Sequence, residues 1–300
     1  MALHALSPLD GRYETETSPL REFFSEFAFM RTRARLELDY LSALSKTGVF
    51  PAGSLSGWKP DLQDFSDEDA CKIQDYEKIT RHDVKAIEYF LREKVPAELH
   101  HWIHFGLTSE DVGNIAQAIA LKDSRDRVLL PALDNLIGSL RDFAMKQRAL
   151  PCLGRTHGQP AVPTTLGKEV AVYLARLLKC RAEIAEHKFE AKLSGAVGSF
   201  NALQAAAPQV DWLAFSQEFI QRLGLEPNLL TTQILPYDNW IRYFDSIKLT
   251  NAILVGYAQD IWRYISDGIL KQKVVEGEIG SSTMPQKVNP IDFENAEGNL

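Results

Sequence analysis

Only three cysteines occur in 300 residues. Cys71, Cys152 and Cys180 are odd in number, widely spaced and in no metal or redox pattern. Neither a disulfide framework nor a thiolate metal site is expected from them. No run of about 18 apolar residues occurs, so no segment is expected to span a membrane. No Lys/Arg block occurs either, and the net charge is −7 with a pI near 5.6. A nucleic-acid footprint needs a basic face, so that class of partner is excluded. A glycine-rich phosphate loop with a following lysine is missing, as is an HExxH zinc motif. His100, His101 and His104 contain an i, i+4 pair, but no third ligand or thiolate accompanies it, and no metal is expected. Cys152 precedes His157 across a turn, in no known thiol–imidazole signature. Residues 1–11 lack the charged and apolar regions of a signal peptide, so the expected compartment is the cytoplasm. No internal repeat, low-complexity tract or convincing strand pattern is found.

What is present is ordinary globular composition, 45% hydrophobic and 24% charged, arranged in long helical stripes. An extended arm punctuated by Pro8, Gly11 and Pro19 leads into a helix expected from about Leu20 to Lys46. Ser66-Asp67-Glu68-Asp69 reads as a capping box opening a helix through Ile73 and Tyr76. Val84, Ile87, Phe90 and Leu91 then continue at helical spacing. From Thr108 an apolar series runs to about Arg148, a helix of roughly 60 Å at 1.5 Å per residue, bent if Pro131 lies inside it. A second long series runs from Thr165 to Leu193 and a third from Tyr237 to Lys271. Three such helices joined end to end predict an up-and-down bundle, and helices this long predict burial of their stripes across subunits. A fourth is expected to start at Asn289-Pro290, with Asp292, Glu294 and Glu297 near its positive end. The sequence stops at Leu300 soon after it begins, so a truncated chain is expected. The expected domains are 1–107, an N-terminal helical domain, and 108–300, a central long-helix bundle that is incomplete.

Polar clusters fall between these helices, where a bundle leaves its ends open: Arg12-Tyr13, Arg81-His82-Asp83, His104–Asp111, Arg155–Pro160, and Gln233 in its own loop. Each also has an ordinary structural reading, as a tether, a capping pair, a capping box or a turn. The stretch Gly280–Pro290 carries almost no apolar residue and combines hydroxyls, the Lys287 ammonium and carboxamides. It reads as a Gly/Ser linker or as a mobile lid closing over an anionic ligand. Arginines, lysine, hydroxyls and carboxamides together select a substrate carrying carboxylates and a phosphate. A histidine such as His157 delivers a proton at neutral pH. A serine of the loop, stabilised as alkoxide by Lys287 and backbone N–H groups, is the candidate base. An acid plus a base on a closing loop, acting on a polycarboxylate, is an elimination machine.

The loop Gly280–Pro290 resembles the signature of the fumarase/aspartase superfamily. The segments Ser7–Tyr13, Arg81–Ala86, His104–Asp111 and Arg155–Pro160 narrow the resemblance to its purine-acting members. The resemblance covers essentially the whole chain. It implies an all-α, long-helix bundle, here truncated at its C-terminal side, and a homotetramer whose active sites draw on three subunits. It implies small-molecule substrates: adenylosuccinate converted to AMP plus fumarate, and SAICAR to AICAR plus fumarate, with no cofactor. It implies His157 as general acid and Ser281 as general base. Lys287 and Asn289 match carboxylate-binding positions, and Arg12, Tyr13, Arg81, His82, Asp83, Thr108, Ser109 and Gln233 substrate-binding ones. Gln286 stands where some close members have histidine. A scaffold of this fold also persists as a structural protein without activity; the intact His157, Ser281 and Lys287 argue against that here.

Overall fold

The structure, a computed structural model, describes residues 4–50, 62, 64–273, 284 and 287–300. In chain order the first helices are α1 Glu14–Thr17, α2 Arg21–Phe24 and α3 Glu26–Leu44. The helix expected from Leu20 is thus broken at Ser25, whose extended backbone lets its hydroxyl accept from Ala28 N at 3.1 Å. A serine that caps a new helix cannot also continue the previous one. Helix α4, Asp67–Thr80, opens on the expected Ser66/Asp69 capping box and ends on Arg81 in the left-handed region. Helix α5 spans Asp83–Lys94 and α6 spans Ser109–Ser124, behind the Thr108/Asp111 capping box.

A π-helical turn, Arg125–Leu129, links α6 directly to α7, Leu130–Lys146. Pro131 has no N–H to donate to the carbonyl of Arg127, and the ladder widens where that bond is missing. Two strands follow, β1 Pro151–Thr156 and β2 Gln159–Thr165, paired antiparallel. They correct the expectation of no strand. Pro160 and Pro163 argue against a strand within a wide sheet, but in a lone hairpin every strand is an edge and tolerates them.

Helix α8, Leu166–Glu186, is shorter than its apolar series implied. Beyond it Phe189 and the consecutive residues Ala191, Lys192, Leu193 and Ser194 are buried, an extended segment closed in on both faces rather than a helix with one apolar stripe. Their segment includes β3, Glu190–Ala191, paired parallel with β4, Glu226–Pro227. Between β3 and β4 lie α9 Asn201–Ala206 and α10 Trp212–Arg222, followed by α11 Asp238–Ser266 and α12 Ile291–Asn299. Helix α12 starts one residue later than expected, with Pro290 at its N-cap.

The chain forms two compact units. The first comprises 1–129 and 188–240. Its core is centred on α3, where Leu36, Leu38, Tyr40, Leu41 and Leu44 are buried, with Ile87, Phe90 and Leu91 of α5 and Ile115 of α6. The Tyr40 ring meets Phe215 and Phe219 of α10 edge-on, both at 5.9 Å. Each such large apolar side chain contributes about 1.5–3 kcal/mol on burial.

The second unit comprises 130–187 and 241–300. Arg181 of α8 grips Asp134 of α7 through two 2.9 Å bonds, while Gly167 N bonds Gln147 O at the other end. These helices therefore run antiparallel. Helix α11 runs back along α8 in the same manner, with Tyr264 beside Glu169 at one end and Tyr243 beside His187 at the other. Buried Leu133, Ile137 and Leu140 of α7 and Val170, Leu177 and Ile184 of α8 supply the seam. Three long antiparallel helices are the up-and-down bundle that the stripes predicted. Among the described residues no helix is long and apolar enough to cross a membrane.

Candidate active site

In the first unit the N-terminal arm is wound tightly by its own backbone. Tyr13 N bonds Pro8 O at 2.9 Å, and Arg12, next to it, is exposed. Arg81 takes φ 52° at the end of α4, which turns the chain into His82. His82 caps α5: its Nδ1 accepts from Lys85 N at 3.2 Å. The adjacent Asp83 carboxylate receives the Arg33 guanidinium at 2.6 Å. Partial burial acts to raise the Asp83 carboxyl, but the Arg33 charge and hydrogen bond outweigh it and hold the group below the usual range.

Thr108, Ser109 and Gln233 come together at the start of α6. Gln233 Nε2 donates to Thr108 Oγ1 at 3.3 Å, across 125 residues of chain. Beneath them Asp111 accepts from Ser194 N and Gly195 N, each at 3.0 Å, and from the Lys192 ammonium at 2.8 Å. Asn114 is bound through both ends of its carboxamide to the Lys192 backbone. Glu110 takes Leu235 N and the Tyr237 hydroxyl, at 3.3 and 3.1 Å. Burial and the Glu110 charge push that phenol up to about 12. Gly198, at φ 79°, lies against the backbone of Thr231, where an added Cβ would come within 2.0 Å of its carbonyl oxygen.

In the second unit His157 stands at the tip of the β1–β2 hairpin. His157 at φ 53° and Gly158 at φ 72° are the two loop residues between the Thr156–Gln159 pair. Positive φ at both positions defines a type I′ turn, whose twist matches the flanking strands. Arg155 closes it by donating to Gly158 O at 3.1 Å. The histidine itself is exposed. Beside the hairpin is a cavity of about 480 Å³, lined by Arg155, Gly158, Glu169, Asp260, Arg263 and Tyr264 among others. Tyr264 donates to Glu169 at 3.3 Å, and burial together with the Glu169 and Asp260 charges raises this phenol to about 12.

Lys287 N bonds Met284 O at 3.0 Å and the Lys287 side chain is exposed. Asn289 is half-buried just before α12. Ser281 lies outside the described residues, as does most of its loop. The histidines weighed as metal ligands are engaged otherwise: His104 Nδ1 is 2.5 Å from Glu37, and His100 Nε2 is 2.9 Å from Val95 O.

A family profile described as Lyase matches residues 11–300. The chain is 45% identical over 310 residues to adenylosuccinate lyase of Escherichia coli K12, covering 100% of this chain and 68% of that protein. It is 46% identical over 311 residues to the Vibrio cholerae adenylosuccinate lyase, again covering 100% of this chain and 68% of the relative. It is 43% identical over 315 residues to the one from Dictyostelium discoideum, covering 99% and 68%. The chain belongs to the adenylosuccinate lyase family.

Solved structures agree on the architecture. A Mesorhizobium fumarate lyase matches with a TM-score of 0.73 at 20% identity, over 94% of this chain and 62% of that one. A Pseudomonas putida 3-carboxy-cis,cis-muconate lactonizing enzyme matches with a TM-score of 0.71 at 23% identity, over 94% and 63%. At such identities the likeness speaks for the all-α fold alone. Within this adenylosuccinate lyase family member, Lys192, Asn114 and Glu37 were missed as parts of the site's framework. Lys192 left no signal: alternation with Phe189, Ala191 and Leu193 puts it, with Glu190, on the opposite face of an extended segment, where a charged residue is ordinarily solvated.

Proposed function

We propose that this chain carries the acid, the base and much of the substrate pocket of a lyase. The enzyme eliminates fumarate from adenylosuccinate to give AMP, and from SAICAR to give AICAR. The observation that carries the proposal is 45% identity to an adenylosuccinate lyase across the full chain. The exposure of His157 on a rigid I′ turn supports its role. In the reaction Ser281 takes a proton from the succinyl β-carbon, leaving a carbanion stabilised by its neighbouring carboxylate. The C–N bond then breaks, a C=C bond forms, and His157 gives its proton to the departing nitrogen. Lys287 and Asn289 hold the succinyl carboxylates. Arg12, Tyr13, Arg81, His82, Asp83, Thr108, Ser109 and Gln233 hold the remainder of the substrate.

The working enzyme is a cytoplasmic homotetramer with shared sites, organised as an N-terminal domain, 1–107, and a central bundle, 108–300. Its assembly is favoured by apolar side chains left exposed on the bundle helices, among them Leu178, Ile241, Phe244, Leu249 and Trp262. The test is fumarate release from both substrates by the complete enzyme. His157→Ala and Ser281→Ala should each lower turnover by about 10²–10⁴ while substrate still binds. Mixed tetramers of the two variants should partly regain activity. Near-normal turnover in both single variants would sink the assignment.

A further inference from the structure

Lys192 and Asp111 form an ion pair whose side chains are 0% exposed. Such a pair is a costly element for stability alone, because desolvation offsets most of its attraction and apolar residues of similar volume fill a core as well. The ammonium does something an apolar residue cannot. Its three N–H groups reach three separate acceptors: Asp111 Oδ1 at 2.8 Å, Gly195 O at 3.2 Å and Gln233 O at 2.8 Å. These acceptors belong to the first turn of α6, the loop after β3 and the loop before α11. A tetrahedral ammonium suits three divergent acceptors; the planar arginine fork does not, and methionine donates nothing.

The third acceptor matters most. The Gln233 main chain rests on Lys192, while its side chain reaches back to Thr108 Oγ1 at 3.3 Å. Glu110 pins the same loop two residues later, at Leu235 N, but among the described residues the bond that Gln233 O accepts comes from Lys192. We infer that Lys192 is a positioning residue, setting the carboxamide of Gln233 against Thr108 and so shaping one wall of the substrate pocket. The inference rests on the proposal that Gln233 and Thr108 touch substrate.

The experiment compares Lys192→Met, Gln233→Ala and their double variant in the complete enzyme, with adenylosuccinate as substrate. Lys192→Met should raise KM about tenfold and change kcat less, since it loosens a binding group and not the acid or base. Because Lys192 acts through Gln233, the double variant should be no worse than Gln233→Ala alone. Should Lys192→Met fail to fold with Asp111 left unpaired, Lys192→Met/Asp111→Asn removes both charges and is read against the same standard. A normal KM in a folded Lys192 variant, or additive effects in the double variant, overturns the inference. Failure of both variants to fold assigns Lys192 to the fold and overturns it too. If Gln233→Ala itself leaves KM unchanged, the substrate-contact reading falls and takes the inference with it, whatever Lys192→Met does.

Discussion

Arg33 and Asp83 meet at 2.6 Å across fifty residues of sequence, joining the middle of α3 to the first residue of α5. The guanidinium is mostly buried and stacks on Phe29, 3.7 Å from the ring centre. Asp83 therefore sits in a prepared charge environment beside His82, not on a free loop. Its folded-state pKa is depressed, so its stabilising contribution is present above the unfolded carboxylate pKa and is lost as pH falls through the folded value. Arg33→Met should cost on the order of 0.5–1 kcal/mol at neutral pH, since half of the carboxylate is screened by solvent. Urea titrations at several pH values should show that cost shrinking towards acid. An equal cost at all pH values would contradict the pairing.

His104 and Glu37 predict the opposite slope. Burial acts to lower the His104 pKa, but the Glu37 charge and hydrogen bond outweigh it and raise the group above its ordinary value. Its contribution to stability is thus full below the unfolded pKa of about 6.5 and is lost as pH rises through the raised value. Stability measured by denaturant should decline over that window in the native protein. In His104→Gln the decline should disappear.

The hairpin turn depends on Gly158 at φ 72°. A β-branched residue there is strained by about 1–2 kcal/mol or more. Gly158→Val should displace His157 and lower kcat by roughly 10²-fold through mispositioning, with KM less affected. Unchanged kcat would mean that the imidazole need not be fixed by its turn.

Gly198 predicts a steric effect of a different kind. A Cβ at this position meets Thr231 O at 2.0 Å and its carbonyl carbon at 2.6 Å, both backbone atoms that cannot swing aside. Gly198→Ala should destabilise the chain by about 1–3 kcal/mol, and should also raise KM because the 231–237 loop carries Gln233. Thermal unfolding and steady-state kinetics read the two effects separately.

Tyr40 offers a core counterpart. Its side chain is buried, and its hydroxyl donates to the carbonyl of half-buried Phe105 at 2.8 Å. Tyr40→Phe leaves that carbonyl without this donor and should cost about 1–3 kcal/mol. A neutral result in urea denaturation would show that Phe105 O finds another partner.

The helices and their polar ends were legible in the sequence because each rests on local rules. Apolar spacing of three and four gave α6, α7 and α11. Ser66 and Thr108 announced helix starts through capping that needs only four consecutive residues. The clusters at Arg81–Asp83 and Arg155–Pro160 stood out because charge and turn residues interrupted those stripes. The hairpin under His157 was not legible, since Pro160 and Pro163 mask a strand that tolerates them only as an edge. Nor was the extended, buried segment after α8, whose apolar residues continued a helical series without a break. Tertiary structure alone decided the partners of long-range charge: Arg33 with Asp83, His104 with Glu37, and Lys192 with Asp111. A pairing between residues fifty or more positions apart leaves no periodicity in the chain. It arises only when packing brings the two charges within reach, and where both are buried, as in Lys192 and Asp111, water can no longer satisfy either.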